Sequence, residues 1–302
     1  MITCDLGSNT LRIAQFDDTS CTRLRDFEKI VRTAKELHHA QCIGNEAISN
    51  ILNALDEASK LFDFKHERTM CVTTQAMRMA KNASEVLAII HERFGLDFCI
   101  ISGEEEANYT ALAIEQALRR ESLDTQTYVL FDLGGGSTEL VFSLNGIKKS
   151  QSFPFGIVTT AERYKNSIDE ESIHALIASI KPFITPFEPI SKTYQKLIAT
   201  AGTPTTVAAF LQGLDYEHYD AQKVNGTKLS YQDFDNALKE LNAMPLAMAE
   251  RYTGTNRRDL ILVGILMVKE IMQQLGFEAC IVFDDGLREG VAIAHFDAHK
   301  LL

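Results

Sequence analysis

Asp132-Leu133-Gly134-Gly135-Gly136-Ser137-Thr138-Glu139 lies between two apolar runs, Tyr128-Val129-Leu130-Phe131 before it and Leu140-Val141-Phe142 after it. The runs read as strands and the glycines as the turn between them. β-Branched and aromatic residues suit a pleated surface, and glycine takes the backbone angles of a tight reversal without strain. An earlier triplet, Asp5-Leu6-Gly7, is followed by Ser8-Asn9-Thr10 and repeats the pattern between Met1-Ile2 and Leu11-Arg12-Ile13-Ala14. A strand, an Asp-Leu-Gly turn and a returning strand therefore occur twice. The repeat predicts two related lobes, each presenting a turn the size of a phosphate to a shared cleft.

The rest of the chain agrees with an α/β fold. Strand-like and helix-like segments alternate. Apolar residues recur at helical spacing from Ala47 to Phe62, and a short strand follows at Thr69–Thr73. Ser84 or Asn82 is placed to cap a helix that runs to Phe94 and stops at Gly95. Phe98–Ile101 reads as another short strand, and Gly103 opens a further helix. The polar stretch from Arg119 to Thr127 is the expected boundary between lobes. The predicted first lobe is 1–121, with 288–302 returning to it as a C-terminal helix, and the second is 122–287. Within the second lobe, Asn145-Gly146 is a two-residue hairpin signal. Helices are expected at 170–184, 233–252 and 260–275, with strands ending at Ala201 and Phe283.

Composition narrows the function. The chain has 302 residues and a net charge of −11, which argues against a nucleic-acid or anionic-membrane surface. A phosphorylated small molecule remains compatible, because backbone N–H groups, a few cations and a metal ion can hold it. No apolar run reaches the length of a membrane span, and no leader pattern precedes the first strand. The expectation is a cytoplasmic protein. The six cysteines form no Cys-x-x-Cys pair and are read as reduced and buried. Neither a P-loop nor a Gly-x-Ser-x-Gly elbow is present, and the histidines form no zinc motif.

Three turns carry candidate phosphate sites. Gly134, Gly135 and Gly136 let the backbone approach a ligand, with Ser137 and Thr138 as hydroxyl donors. Ser8 and Asn9 offer the same on the first turn, and Gly202-Thr203 stands at a helix start. Each alone reads better as an ordinary tight turn; three of them at strand ends, two sharing Asp-Leu-Gly, reverse that preference. Asp5, Asp132 and Glu139 are oxygen ligands suited to Mg²⁺ or another divalent cation. Ser102-Gly103-Glu104-Glu105-Glu106-Ala107 places three acids in a first helical turn, where they complement the helix dipole. Glu106 is the one placed to orient a water if it turns inward. Arg78 follows a strand and either forks onto a phosphate or sits as a surface arginine. Arg12, in an apolar strand, needs a partner or solvent. Lys29, Arg32, Lys35, Lys148-Lys149 and Arg257-Arg258 either guide an anionic chain or form solvated faces.

Taken together, DLGSNTLRI (5–13), TTQAMRMAKN (73–82), ISGEEEA (101–107), DLGGGSTELV (132–141), ATAGTPTTVAA (199–209), VNGTKLS (224–230), RRDLILVG (257–264) and DDGLREGV (284–291) resemble the exopolyphosphatase/guanosine pentaphosphate phosphohydrolase family, within the actin-like ATPase superfamily. The resemblance implies two ribonuclease-H-like lobes flanking a central cleft and Mg²⁺-dependent hydrolysis of a terminal phosphate. It makes Glu106 the water-activating base with Glu105 in support, and Asp132 and Glu139 the metal-associated acids. Ser8, Asn9, Gly135, Gly136, Ser137 and Arg78 become phosphate contacts. Inorganic polyphosphate is the first expected substrate and pppGpp the second; the resemblance also allows a homodimer. Longer members add a C-terminal domain related to HD phosphohydrolases, whereas this sequence is read as the short form. The stretch 33–39 follows the family pattern only loosely. The rival readings are a non-catalytic actin-like nucleotide-binding protein and a sugar or acetate kinase on the same fold.

Overall fold

The hairpin around Asp5-Leu6-Gly7 seeds the first sheet. In this computed structural model, which describes residues 1–164 and 170–300, β1 (Ile2–Leu6) and β2 (Thr10–Phe16) pair antiparallel, and β3 (Arg23–Ile30) adds outside β2. β4 (Thr69–Thr73) and β5 (Phe98–Ile100) extend the other side in parallel, giving the order β3-β2-β1-β4-β5. Parallel neighbours need crossover connections, here supplied by helices such as Asn45–Ala58 and Ala83–Phe94. The second sheet repeats the plan. β6 (Tyr128–Leu133), β7 (Thr138–Leu144) and β8 (Ile147–Phe153) form a meander, and β9 (Leu197–Thr200), β10 (Thr227–Ser230) and β11 (Ala279–Val282) complete the order β10-β11-β9-β6-β7-β8.

The two Asp-Leu-Gly hairpins match in detail. Asp5 lies opposite Arg12 across β1–β2, and Asp132 lies opposite Glu139 across β6–β7. Each turn is closed by the same bond, from Gly7 N–H to the Thr10 carbonyl and from Gly134 N–H to the Ser137 carbonyl, both 3.0 Å. The chain divides into two units. One comprises Met1–Ile114, Gly134–Ser137 and Asp285–Leu302; the other comprises Glu115–Leu133 and Thr138–Asp284. The glycine turn thus belongs to the first unit, while the strands on either side of it belong to the second. Residues 301 and 302 of the expected C-terminal segment lie outside the described residues.

Local chemistry explains the elements and the departures. Asn145 and Gly146 both take positive φ, 52° and 78°, the requirement of the tight hairpin turn between β7 and β8. Gly95 ends its helix in the left-handed conformation. Asn82 precedes that helix but does not cap it: its side chain bridges the Ile43 backbone, accepting from N–H at 2.8 Å and donating to the carbonyl at 3.0 Å. The single helix expected over 233–252 is two, Tyr231–Ala243 and Leu246–Thr253. Pro245 lacks an N–H and drives Met244 into an extended conformation, which ends the first helix. The segment expected as one helix over 170–184 alternates α and 3₁₀ turns around Pro182. Cys4, Cys71 and Cys280 are buried as expected, but Cys99 is exposed, because β5 is a three-residue strand at a sheet edge.

Each unit has its own core. In the second, the helix Arg258–Leu275 buries Ile261, Ile265, Val268 and Met272 against the sheet layer. Phe142 stacks on Phe187 at 4.3 Å between ring centres. In the first, the helix Leu287–Lys300 packs Leu287 and Val291 with Val72 and Ile101, and Ala292 with Met1, Ala14 and Phe16. Among the described residues no helix is long and apolar enough to cross a membrane.

The C-terminal helix meets the helix Gly103–Arg120 backbone to backbone. A Cβ on Gly290 would overlap the Tyr109 carbonyl and lie 2.9 Å from its Cα. Gly290→Ala is expected to destabilise the protein by about 3 kcal/mol, since backbone cannot retreat as a flexible side chain can. Chemical denaturation of the two proteins measures this, and an unchanged midpoint would contradict the contact.

Candidate functional site

In the first unit the two turns touch. A Cβ on Gly135 would lie 3.1 Å from Asn9 Cβ and 3.2 Å from its N, and one on Gly136 would strike the Ser8 hydroxyl and lie 3.1 Å from Ser8 Cβ. Only glycine permits this approach. The first turn is fixed from behind: the Asn9 carbonyl accepts from Val31 and Arg32 N–H at 2.9 Å, and the Ser8 carbonyl from Ala34 N–H at 2.8 Å. Ser8 and Ser137 are buried. Asn9 Oδ1 and Thr33 Oγ1 are buried without a hydrogen-bond partner. Such groups cost about 1–3 kcal/mol unless a water or ligand satisfies them. Thr33 has no distinctive sequence context and was not singled out from the sequence.

The acidic segment resolves into three different roles. Glu104 is exposed. Glu105 folds back onto the helix start, its Oε2 accepting from Ser102 N–H at 2.7 Å and from Ser102 Oγ at 2.8 Å. The backbone bond first, and then the hydroxyl, hold its carboxyl below the usual glutamate range. Glu105 therefore serves the helix cap. Glu106 turns inward and is only 8% exposed. Arg78 donates to its Oε2 from both terminal nitrogens at 3.0 Å. The same guanidinium donates to the Ile101 carbonyl at 2.6 Å and, through Nε, to Gln75 Oε1 at 3.1 Å. Gln75 also lies against the glycine turn, its Cγ 3.3 Å from where a Gly136 Cβ would stand. Gln75 was not read as a site residue, because nothing local marks it.

In the second unit, Asp132 and Glu139 are cross-strand partners, which puts their side chains on one face of the sheet with Cβ atoms about 5 Å apart. Glu139 is 1% exposed, and its Oε1 accepts from Ser152 Oγ at 2.6 Å. Among the described residues no set of three or more His, Cys, Asp and Glu side chains is gathered as a metal cage. Two carboxylates fit a cation such as Mg²⁺, which keeps several waters and takes its remaining ligands from a bound phosphate. Asp5, the third acid of the sequence reading, belongs to the first unit. Thr138 is fully buried and donates its hydroxyl to the Phe155 carbonyl at 2.8 Å, which leaves its backbone as the part nearest the turn.

Gly202 opens the helix Gly202–Leu211, preceded by Ala201 at φ 76° and ψ −176°. That region is nearly confined to glycine, and such strain persists where the surroundings impose it. Arg257 Nη2 would be 3.1 Å from a Cβ on Gly202, and its guanidinium lies 5.5 Å from the Tyr216 ring centre. The helix start thus presents free-facing amides beside an arginine, an arrangement suited to an anion. Thr203 Oγ1 is buried without a hydrogen-bond partner and faces Gly264, so the side chain serves helix packing. Five of the other cations are engaged locally: Arg12 with Glu28 at 3.1 Å, Lys29 with Glu57 at 2.8 Å, Lys35 with Glu46 at 2.7 Å, Lys148 with Glu115 at 2.7 Å and Arg258 with Asp259 at 2.8 Å.

Comparison with known proteins identifies the family and the fold. A sequence profile of the Ppx/GppA phosphatase family matches residues 12–299. A bifunctional 3-dehydroquinate synthase/phosphatase from Fusobacterium nucleatum is 25% identical over 301 residues, covering 93% of this chain but only 44% of its own length. The chain therefore spans under half of that relative. Exopolyphosphatase 2 from Mycobacterium tuberculosis is 26% identical over 315 residues, 96% of each protein. Among solved structures, the Ppx/GppA enzyme of Aquifex aeolicus is 29% identical with a TM-score of 0.75, over 97% of this chain and 98% of that one. An exopolyphosphatase from Cytophaga hutchinsonii, 22% identical, has a TM-score of 0.82 over 98% of this chain and 97% of its own and bears on the fold alone. The fold is the two-lobed actin-like α/β fold; the repeated hairpin predicts its two lobes, and the family resemblance implies its actin-like character. With its profile match running from β2 into the last helix, and solved members alike over nearly its full length, the chain belongs to the Ppx/GppA phosphatase family.

Proposed function

We propose that this phosphatase is an exopolyphosphatase, which releases the terminal phosphate of inorganic polyphosphate by attack of water. The observation that carries the reading is Glu106, a buried carboxylate held by Arg78 in the same unit as the touching glycine and serine turns. A carboxylate fixed in that way can take or direct the proton of an attacking water. Terminal phosphoryl oxygens would be held by the backbone N–H groups of Gly135, Gly136 and Ser137 and by Ser8 and Asn9, all in the first unit; the helix start at Gly202 is the anion-binding candidate of the second unit. Phosphoryl transfer places most of its charge on those oxygens, so aligned amides and cations contribute the bulk of the rate. Asp132 stands two residues before the glycine turn and Glu139 two residues after it. These two would hold a divalent cation, which when bound neutralises phosphate charge. The likeness to exopolyphosphatase 2 supports polyphosphate as the substrate.

Glu106→Gln keeps the size and the hydrogen-bonding ends of the side chain but not the charge. It is expected to fold normally and to lose about 10²–10⁴ in turnover. Phosphate release from polyphosphate, followed alongside circular dichroism, checks this; full turnover in the variant would remove Glu106 from the reaction. Gly136→Ala is expected to raise KM more than tenfold or abolish activity, because the added Cβ pushes Ser8 away and parts the two turns. Parallel assays of the native protein with polyphosphate of several lengths and with pppGpp test the substrate. Preferential release from pppGpp would move the assignment to a guanosine pentaphosphate phosphohydrolase, and transfer of phosphate to a metabolite would make the protein a kinase.

A further inference from the structure

We infer that Gln75 and Arg78 are positioning residues for Glu106, and that Gln75 ties the carboxylate to the glycine turn; the inference rests on Glu106 as the residue that handles the water. A guanidinium has five N–H donors. Four are placed here within the protein: Nε on Gln75 Oε1, one terminal nitrogen on both the Ile101 carbonyl and Glu106 Oε2, and the other on Glu106 Oε2. One N–H remains, so Arg78 in this arrangement cannot fork onto a phosphate with two parallel bonds. Its chief partner is the carboxylate. The bond to Ile101 adds a second constraint, since Ile101 ends the segment that enters the helix Gly103–Arg120, and the Glu106 N–H opens that helix on the Ser102 carbonyl at 3.0 Å. Arg78 therefore fixes both the Glu106 side chain and the backbone that delivers it.

Gln75 completes the line. Arginine Nε–H can only donate, so the Gln75 atom that faces it is the acceptor oxygen. Gln75 and Arg78 are three apart in the short helix Gln75–Met79 and share a face. The stem of the same Gln75 packs on Gly136. A continuous set of contacts thus runs from the turn proposed to receive the phosphate, through Gln75 and Arg78, to Glu106. A shift of the turn on phosphate binding reaches the carboxylate through two side chains. Arg78 is ion-paired with Glu106 at 3.0 Å, and the neighbouring Glu105 is turned to Ser102.

Steady-state kinetics on polyphosphate with Gln75→Leu, Arg78→Met, Arg78→Lys, Glu106→Gln and the Arg78→Met/Glu106→Gln double variant separate this role from direct phosphate binding. The expected result for Arg78→Met is a fall in kcat of about 100-fold with KM changed less than about threefold. A cation beside a carboxylate favours its ionised form. Without it the acid limb of kcat moves to higher pH, by about one unit. Gln75→Leu, which keeps the ion pair, should lower kcat about tenfold and leave the limb in place. Arg78→Lys restores the position of the limb but not the full kcat, because one ammonium cannot serve three separated acceptors. The double variant should be no slower than Glu106→Gln alone. A large rise in KM with kcat retained in both Arg78→Met and Gln75→Leu would overturn the inference. So would additive losses in the double variant. If Arg78→Met does not fold, Gln75→Leu decides by the same split of kcat and KM. Full turnover in Glu106→Gln would instead overturn the reading of the site on which the inference rests.

Discussion

The absence of side chains at Gly135 and Gly136 is the constraint on which the first unit's candidate site depends. A Cβ on Gly136 would strike the Ser8 hydroxyl, and one on Gly135 would press within 3.1–3.3 Å of Asn9 and Ser8, so the two hairpin ends would have to give way to stay in contact. The contact does more than bring hydroxyls and amides together. It sets the turn against Gln75, and Gln75 holds the arginine that holds Glu106. The glycines matter here for the room they leave, since neither has a positive φ. Their conformational freedom is a cost in the unfolded chain, of roughly 0.5–1 kcal/mol each relative to alanine. That cost is offset by the close packing it allows.

What could be read from the sequence was what local chemistry dictates. The duplicated hairpin was legible because its signals are short-range: alternating apolar strands, a fixed Asp-Leu-Gly start, and turn residues at constant offset. The structure then gives both copies the same register and the same closing hydrogen bond. Asn145-Gly146 and Gly95 were legible for the same reason. The strands β3 and β10 were not, because both are sheet edges; β3 buries none of its residues fully and carries no apolar alternation. Pro245, which separates the two helices found over the expected 233–252 segment, is a helix-breaking signal that the sequence carries. At the site, Glu106 stood out by its place in an acidic first turn. Its partner is 28 residues away, and the link from Gly136 to Gln75 spans 61. No periodicity encodes contacts of that range; the sheet order, which sets β4 beside β5, brings Arg78 after β4 next to Glu106 after β5.

The division of labour among the acids follows from the same geometry. Three consecutive glutamates begin one helix, and they have one shared electrostatic reason to be there, the positive end of the helix. A helix turns 100° per residue, so three neighbours cannot face one way. Glu104 faces solvent, Glu105 reaches back to Ser102, and Glu106 faces the interior where Arg78 meets it. The buried pair is tolerable because the remaining donors of the guanidinium are taken up by the Ile101 carbonyl and Gln75 Oε1.

The charge balance sharpens the point. With a net charge of −11, the protein as a whole repels a polyanion, and Lys29, Lys35 and Lys148, three cations placed to guide one, are paired with acids of their own. Attraction must then be local, supplied by backbone amides that carry no countercharge and by the ion that Asp132 and Glu139 are suited to hold. In such a site an arginine devoted to the phosphate would seem indispensable, yet Arg78 is bound to Glu106. The requirement it meets is a different one. Hydrolysis needs a water held in a direction fixed relative to the phosphorus, and a carboxylate free to rotate cannot fix it. Acidic surroundings can still bind a phosphate through amides and a metal ion, but only a braced carboxylate can aim the water. In the reaction proposed above, an arginine that braces Glu106 meets a need that an arginine bound to the phosphate would leave unmet.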